Sequence, residues 1–447
     1  MPTTYWAPNQ SAVAQVETYT YTAPSGAGNT YTATINGKTV TYTANATDGL
    51  TAAAVASGHY NLLTAQTGVP PELTEITFTN PSDGIVVATA SSAGTPFANV
   101  TVNGVAGQGL VMSTGNGLAN GIATVHTIAN KSPSDVNDPQ NWLRVITPAP
   151  PVRQLPQNLD DVVVSNTTVS MLWNLDRLVA TQFNTYTRWQ NFEGTIGLPD
   201  NNPGGYTEWR ATYFRFVGPT GSTPAGGLQM VLGFDSGVGG GPSRERYNVG
   251  SQQVTMTILA AGSAVDDYGI KFLGVHTQNT FKLLGGTSLG IALLPSEVAQ
   301  LSSCTVGDGS TVAMGVGVTW TAASTLTLYG SAAILNSAPA TLSLNNGARA
   351  TVTTDGLTFT TIAAQGSSGL TFVAGGTITT LTLTTGSTLD KSSDARTLTI
   401  TNSTIDGDTC TIDDPLNSIV WTNATSVKQQ VQSGPFRFTG TRTVKVT

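Results

Sequence analysis

The chain has 447 residues, of which 39% are hydrophobic and 10% are charged, and its formal net charge is −7. This length predicts two to four domains, and the acidic balance argues against a basic nucleic-acid surface and against binding to anionic lipid. The charged fraction is well below that of a typical soluble domain. Hydroxyl and amide side chains stand in its place, and burying them costs less than burying charges, so we expect a large interface within an assembly.

The N-terminal segment, residues 1–16, is predicted to be an arm that a neighbouring molecule orders, because its residues define no element of their own. It lacks the basic and apolar regions of a secretory signal. No stretch of the chain has the run of about eighteen apolar residues that a membrane span needs. We therefore expect a protein that is made in the cytoplasm and assembled later.

Residues 17–105 are predicted to form a small module with the order β-β-β-α-β-β-β. Stretches in which side-chain types alternate flank Asn36-Gly37. This dipeptide predicts a β-hairpin, because both turn positions need a positive φ and asparagine and glycine adopt it readily. Alanine-rich residues 50–65 predict a helix that Thr47 or Asp48 would cap. The remaining strands are predicted at residues 75–79, 85–90 and 98–103.

The middle of the chain is predicted to contain a connector and a second β-domain. Residues 106–160 are rich in glycine and then in proline. Proline removes a backbone donor and fixes φ, so this segment is expected to be a connector and not a central strand. Residues 161–300 contain short strand-like stretches at nearly regular spacing, which is typical of a β-sandwich or of the first turns of a solenoid.

Residues 301–425 repeat a triplet with an apolar residue on each side of a threonine or serine, at intervals of eleven to seventeen residues. Each triplet directs two apolar side chains inward and one hydroxyl outward. One turn cannot bury its own face but a stack of turns can, so the pattern predicts a parallel β-helix or β-solenoid. The triplets begin at Leu326, Leu342, Leu357, Leu370, Leu381 and Leu398.

Residues 426–447 alternate between apolar and polar side chains at 436–438 and 443–446. They are predicted to be strands that cap the solenoid and hide its last open edge, or that pair with a neighbouring subunit. Between Leu301 and Trp421 the sequence has only three basic residues, Arg349, Lys391 and Arg396. The fold class expected for the whole chain is mainly all-β. It consists of a small N-terminal module with one helix, a central β-region and a C-terminal β-helix-like stack.

Carboxylates are densest at Asp406-Gly-Asp408 and Asp413-Asp414. Paired carboxylates can cleave glycosidic bonds, and hard oxygens can bind calcium. The spacing matches no EF-hand loop, and aspartate commonly forms turns. We favour turns, both here and at Asp160-Asp161 and Asp266-Asp267, and leave cation binding at residues 406–414 open.

Other reactive residues are scattered. His59, His126 and His276 each stand alone, and Cys304 and Cys410 form no C-x-x-C motif. A zinc site therefore has no support. Two buried thiols are favoured over a disulfide, whose geometry a sequence cannot show.

The glycine-rich residues 235–242 lack the Lys-Ser/Thr of a phosphate-binding loop. They are predicted to form an exposed loop in which Arg244, Glu245 and Arg246 meet a partner. Because turns, buried side chains and loops account for these carboxylates, histidines, cysteines and glycines, we predict no catalytic, cofactor-binding or metal-binding residue in the chain.

Aromatic residues alternate with arginine in two stretches, which gives two interpretations. Stacked on a strand face, they could bind glycan or single-stranded nucleic acid. They could equally form the core and rim of a protein interface, where tryptophan, tyrosine and arginine are enriched, and we favour this second interpretation. The residues are Tyr186, Arg188, Trp189, Trp209, Arg210, Tyr213 and Arg215.

Two blocks of the sequence carry a resemblance to phage proteins. The first comprises residues 31–43 and 47–55 with the strands near Ile76 and Ile85, and it resembles a small module of phage tail and other virion proteins. The second is similar to a family of uncharacterised phage and prophage proteins. It comprises residues 141–142, 159–164, 194–199, 205–209, 269–276 and 290–292.

The resemblance implies a non-enzymatic structural protein located in the virion. We expect a head decoration or cement protein, trimeric through self-association, that contacts the major capsid protein or other virion proteins and needs no cofactor, nucleic acid or membrane. Its arm and first module would grip the capsid while the solenoid projects. The alternatives are a tail fibre or tailspike that binds host surface glycan, a tail-tube or baseplate component, and a glycan depolymerase.

Overall fold

The structure is a computed structural model that describes most of the chain. The described residues are 2–9, 11–35, 38–65, 71–93, 97, 112–114, 124–128, 133–136, 138–171, 183–194, 196–197, 213–215, 227–233, 245–259, 268–286, 288–406, 409–423, 426–428 and 437–439.

The chain folds into two compact units. Unit 1 comprises Met1–Ala7, Trp142–Gly197 and Tyr213–Thr447, and unit 2 comprises Pro8–Asn141 and Leu198–Thr212. About half of the residues are in strands and 6% are in helices, which confirms the predicted all-β class. Among the described helices, none has both the length and the apolar character needed to cross a membrane.

The strands are numbered in chain order. Up to residue 153 they are β1 (Thr3–Trp6), β2 (Val16–Thr20), β3 (Thr30–Ile35), β4 (Lys38–Thr43), β5 (Ile76–Ser82), β6 (Ile85–Ala90), β7 (Met112–Thr114), β8 (Thr124–Ile128), β9 (Trp142–Val145) and β10 (Val152–Arg153). The next ten are β11 (Asp161–Val164), β12 (Thr185–Arg188), β13 (Phe214–Arg215), β14 (Leu228–Gly233), β15 (Glu245–Asn248), β16 (Val254–Leu259), β17 (Ile270–Leu273), β18 (Thr280–Leu284), β19 (Ser288–Ile291) and β20 (Ala299–Val306).

The remaining strands belong to the repetitive part of the chain. They are β21 (Thr311–Met314), β22 (Val318–Tyr329), β23 (Ala332–Leu335), β24 (Thr341–Asn345), β25 (Arg349–Val352), β26 (Leu357–Ala364), β27 (Gly369–Phe372), β28 (Gly376–Leu383), β29 (Thr388–Asp390), β30 (Leu398–Asp406), β31 (Thr411–Asp413), β32 (Ile419–Trp421), β33 (Ser426–Lys428) and β34 (Arg437–Thr439). The helix α1 is Ala52–Thr64, and 3-10 turns form at Pro71–Glu75 and Pro139–Asn141.

Unit 1 contains a C-terminal parallel β-solenoid of about nine turns. Its long sheet runs β10-β9-β1-β11-β12-β14-β16-β18-β20-β22-β24-β26-β28-β30-β32, and its second sheet runs β13-β15-β17-β19-β21-β23-β25-β27-β29-β31-β34. Every pairing from β11 onward is parallel, as successive turns of a solenoid require. The domain boundary predicted at residue 300 falls within β20, and the same two sheets continue on both sides of it.

The turns that contain the long strands β26, β28 and β30 have three inward-facing rows, because these strands are bent. In β26, Phe359 points inward, the next two threonines point away from the core, and Ile362 points inward again. The second sheet adds Phe372 of β27, whose ring meets that of Phe359 edge to face with centroids 6.0 Å apart. The interior is therefore filled from three sides, and each fully buried aliphatic side chain contributes about 1.5–3 kcal/mol.

The predicted triplets occupy these three rows and do not each form a turn. Those beginning at Leu326, Leu342 and Leu381 lie in one row of the long sheet, with Ile362 paired between the last two. Those at Leu357 and Leu398 lie in another row, and the one at Leu370 lies in the second sheet. All their apolar side chains are buried except Leu357, which is half-buried.

One corner of the solenoid is made by stacked left-handed residues. Asn346, Ser367 and Thr385 all have φ between 51° and 60°, and each has a glycine beside it with φ of 64° to 78°. Glycine and asparagine adopt this conformation at low steric cost, which explains their abundance between the strands. The amide of Gly347 donates to Gly366 O at 2.7 Å, so the corner of one turn also supports the next.

The N-terminal segment closes the first turn of its own solenoid, so the predicted arm is wrong. Strand β1 pairs with β11 in parallel and with β9 in antiparallel orientation. Trp6 is buried edge to face against Trp142, with centroids 4.9 Å apart, and its Nε1 donates to Val169 O at 3.0 Å. The segment predicted as a connector thus supplies β9 and β10 to the long sheet.

Unit 2 contains two antiparallel sheets and the helix. One sheet has the order β5-β6-β2-β8 and the other β4-β3-β7. The alternation in β2 places Tyr19 in the core with Tyr31, Val55 and Leu63. Strands β3 and β4 pair from Thr30↔Thr43 to Ile35↔Lys38, which is the register that the predicted hairpin requires, although Asn36-Gly37 themselves lie outside the described residues.

The helix of unit 2 forms where the sequence predicts it, but its cap differs. Thr51 is the N-cap, and its side chain accepts a hydrogen bond from Ala54 N at 3.1 Å. The predicted caps Thr47 and Asp48 instead bond to Asn45 in the preceding turn. The strand predicted at residues 98–103 lies outside the described part of the chain.

Replacing Leu342 and Leu344 together with aspartate is expected to unfold the solenoid. Both side chains are fully buried between neighbouring turns, and two unpaired carboxylates there would cost more than about 5 kcal/mol. Thermal unfolding followed by circular dichroism measures the loss. Ser343→Asp is the matched control, because Ser343 lies between them and is only half-buried; equal melting of the two variants would contradict the inward assignment.

Candidate functional site

Of the described carboxylates at residues 406–414, Asp414 is the one whose bonds form a turn. Asp414 is buried, and its carboxylate accepts hydrogen bonds from Ser418 N and Ile419 N at 2.8 and 3.0 Å. Asp406 ends β30 in register with Lys428, and Asp413 ends β31. Asp408 lies outside the described residues. The turn interpretation of Asp414 is therefore confirmed.

Asp160 and Asp161 have the same kind of role at the start of the solenoid. Asp160 is fully buried and accepts from Thr4 Oγ1 at 2.7 Å and from Arg144 Nε at 2.8 Å. Asp161 accepts from Asn184 Nδ2 at 2.7 Å. Together these bonds tie β1 and β9 to the first parallel strand, while Asp266-Asp267 lie outside the described part of the chain.

A buried ion pair lies inside the early turns of the solenoid. Arg188 Nε donates to Glu245 Oε1 at 2.7 Å, and both side chains are almost fully buried. The guanidinium also donates to the carbonyl oxygens of Gly233 and Phe192, and the Tyr247 hydroxyl donates to the other Glu245 oxygen. Burial raises the pKa of Glu245, whereas Arg188 favours its charged form. All these groups hold strands together, and none of them faces solvent.

This interior corrects one expectation about charged residues and rules out, for two residues, the alternative interpretation of the aromatic and arginine stretches. Glu245 and Arg246 are buried in β15 and do not form an exposed loop. Tyr186 and Arg188 also point inward, so they cannot provide a stacking platform for a glycan or a nucleic acid. They lie inside because their positions alternate with outward residues of β12, as a strand requires. Residues 209–212 and 234–244 are outside the described part.

The three basic residues between Leu301 and Trp421 are held in local contacts. Lys391 is buried and its Nζ donates to Asp394 Oδ1 at 2.8 Å. Arg396 donates to the same carboxylate at 2.7 Å, and its guanidinium, with Lys391, lowers the pKa of Asp394. Arg349 Nη1 donates to three backbone carbonyls, including Ser367 O at 2.8 Å.

His59 has a structural environment. It is fully buried, its Nδ1 accepts from the Tyr21 hydroxyl at 3.0 Å, and its Nε2 donates to Val40 O at 3.2 Å. This tautomer is neutral, and burial lowers the pKa of His59 to about 4. His276 Nδ1 accepts from Gln278 N at 3.1 Å within a turn.

The two cysteines are buried and free. Burial raises the pKa of Cys304 to about 12 and also raises that of Cys410. Cys410 continues a row of small buried residues before the strands of the second sheet, in which Ser368 and Ser387 precede it. Both thiols therefore fill space and are poor nucleophiles. Among the described residues, no three histidine, cysteine, aspartate or glutamate side chains are grouped as metal ligands.

The outward face of the long sheet carries the side chains that the interior does not use. Trp189 is 55% exposed and Tyr329 is 42% exposed, and Lys282 of β18 is exposed between them along the solenoid axis. The sequence alone does not single out Lys282 or Tyr329, since nothing local to either residue indicates that they share a face. The alternation of side chains along each strand and the pairing register between strands place them on the same face.

Comparisons of the chain with known proteins find no matching family model, no similar curated protein and no similar solved structure. The resemblance to phage virion proteins therefore stays a prediction, and the function has to be argued from the solenoid and its surface.

Replacing Arg188 with methionine is expected to destabilise unit 1 by about 3–5 kcal/mol, because Glu245 would remain buried without its partner. Thermal unfolding is the measurement. Combining the change with Glu245→Gln removes the stranded charge and should recover part of the loss, since glutamine can still accept from Tyr247. A single variant that melts like the original protein would show that the pair does not hold these turns.

Acidification is expected to destabilise unit 2 through His59. The folded pKa is about 4 against about 6.5 in an unfolded chain, so the unfolded state binds more protons between these values. The stability is complete above pH 6.5 and is lost as the pH falls toward 4, by up to about 3 kcal/mol. The slope of tyrosine-monitored unfolding against pH measures it. His59→Gln should flatten that slope, and an unchanged slope would assign the effect to other groups.

Proposed function

We propose that this chain is a non-enzymatic structural component of a bacteriophage particle, with the virion as its location. The first candidate is a decoration or cement protein of the head, a trimer that stabilises or projects from the capsid. The observation that carries the proposal is the outer surface of the long sheet, which presents two rows of mostly hydroxyl side chains over successive turns.

The first row is continuous in register through eight strands. It consists of Thr255, Thr280, Ser303, Thr325, Thr341, Thr361, Thr380 and Asn402. The second row lies two residues further along each strand and consists of Thr257, Lys282, Thr305, Thr327, Ser343, Ala363, Thr382 and Thr404. We call the part from Ser303 to Thr404 the hydroxyl surface.

The hydroxyl surface suits permanent contact with other proteins. It carries no charged side chain, so burying it against a neighbouring copy or a capsid protein avoids the desolvation of ions. Hydroxyl groups both donate and accept, and they can therefore bond to a partner's backbone or side chains in either sense. A long stack of turns with an apolar interior also presents these groups at a fixed spacing.

Three buried carboxylates and one buried thiol support a passive role. The carboxylates of Asp160, Asp414 and Glu245 are buried and bonded within the chain, and Cys304 is buried among apolar residues. A glycan depolymerase would require two carboxylates on either side of a scissile bond. None of these three carboxylates is placed on the surface where a glycan chain could reach it.

A tail fibre or tailspike is the second candidate. Trp189 and Tyr329, exposed on the same sheet, favour it, because an exposed tryptophan on a rigid strand is a frequent component of binding surfaces. The head and tail candidates share the solenoid and differ in where the protein sits in the particle.

Immunogold electron microscopy of intact particles, with antibody raised against residues 300–447, tests both candidates. Even labelling of the head is the expected result. Labelling restricted to the tail or its tip would instead favour the second candidate. Particles from a strain lacking the gene are the control for antibody specificity, and particles that carry no label at all would overturn the virion proposal.

A further inference from the structure

The outward edge of the long sheet bears a row of apolar side chains beside the early hydroxyl residues. Leu259 and Leu284 are paired in neighbouring strands. Trp189 follows the paired residue Arg188 of β12, and Tyr329 follows the paired residue Leu328 of β22, so both extend the same row. We call Trp189, Leu259, Leu284 and Tyr329 the aromatic column. Its members are 37–55% exposed except Leu284, which is half-buried.

The column has a length suited to a polymer and not to a small molecule. Trp189 and Tyr329 are five turns apart in the solenoid. The four turns between them place Gly233, Leu259, Leu284 and Gly307 at the same position of the row. At about 4.8 Å for each turn, the two rings are roughly 24 Å apart along the solenoid axis. A linear chain lying along the axis could contact both, with aliphatic side chains under its middle.

Polar groups flank the column at the right place for sugar hydroxyls. Thr187, Thr257, Thr305 and Thr327 lie two residues before the column positions, so they point from the same face of the sheet. Sugar rings combine apolar C–H faces with hydroxyl edges, and aromatic rings beside rows of hydroxyl groups complement both features.

The positive charge of Lys282 favours an acidic sugar polymer over a neutral one. Lys282 is exposed in the row of flanking threonines, and none of the ion pairs found in the described part of the chain involves it. In a chain of net charge −7, this lysine favours a ligand that brings a carboxylate to the middle of the column. The exposed carboxylate of Asp308 lies beside Gly330 at the Tyr329 end, so that end does not favour an acidic group. A polyphosphate backbone would need several cations, and Lys282 is the one cation among the described residues of the column and its flanking row.

We propose that the aromatic column, its flanking threonines and Lys282 bind a linear acidic glycan that lies along the solenoid axis. The rings of Trp189 and Tyr329 stack on sugar faces at the two ends, and Lys282 binds a uronate carboxylate between them. The glycan site shares Thr305 and Thr327 with the hydroxyl surface and leaves the turns after β22 free for protein contacts. The inference holds for a head protein or a tail protein, so particle labelling and glycan binding test separate statements.

Calorimetric titration of the full-length protein with hyaluronate and polygalacturonate tests the proposal, with dextran as the neutral polymer and oligo-dT as the nucleic acid. At least one acidic glycan is expected to bind, and dextran and oligo-dT are not. Trp189→Ala and Tyr329→Ala should each weaken binding by about tenfold. Lys282→Gln should weaken it and also reduce its dependence on salt.

Matched controls separate this surface from the rest of the solenoid. Val316→Ala changes a side chain that is 56% exposed elsewhere, and Lys271→Gln repeats the lysine change on the second sheet; both should bind within about twofold of the original protein. Thermal unfolding checks that each variant is folded. Absence of binding to both acidic glycans, equal affinity for oligo-dT, or binding unchanged in all three column variants would overturn the proposal.

Discussion

The architecture of unit 1 depends on one constraint, which is that each turn buries its apolar rows only against the turns above and below it. The row Leu326, Leu342, Ile362 and Leu381 shows this, since every member is fully buried and every neighbour in the row belongs to another turn. Stability is therefore shared between turns. In-register stacking also fixes everything outside the core, because a residue that points outward in one turn adds to a row on the surface.

Both ends of such a stack expose unpaired strand edges. In this chain, residues of the N-terminal segment cover the edge at the first end. An open parallel edge can pair with other chains. Strand β1 covers that edge, and the antiparallel β9 and the two-residue β10 follow it. Pro150 and Pro151 precede β10, and proline is suited to the last position of a sheet because it has no donor to offer. The ion pair between part-buried Arg144 and fully buried Asp160 then fixes this cap to the first parallel strand.

The sequence predicts the solenoid but not its extent, for physical reasons. The triplets reveal inward and outward alternation, which is local, so the strands and most buried residues of 301–425 could be predicted. The turn length could not, because a bent strand such as β26 places two triplet-like stretches in different rows of one turn. The pairing of Thr3 with Val145 and Asp161, and that of Arg188 with Glu245, joins distant residues that no local pattern relates.

The candidate surface shows the same division between local and distant information. Successive side chains of a strand point to opposite faces. The sequence alone therefore predicts that Trp189, which follows β12, points outward when Arg188 at the end of β12 points inward. Register alone then places Lys282 between Trp189 and Tyr329, and register arises from the whole stack. An interior that binds its own carboxylates and thiols leaves recognition to the outward rows. In a solenoid these rows repeat at a constant spacing, which is why both proposals for this surface name an occupant that repeats as well, a linear polymer or an array of proteins.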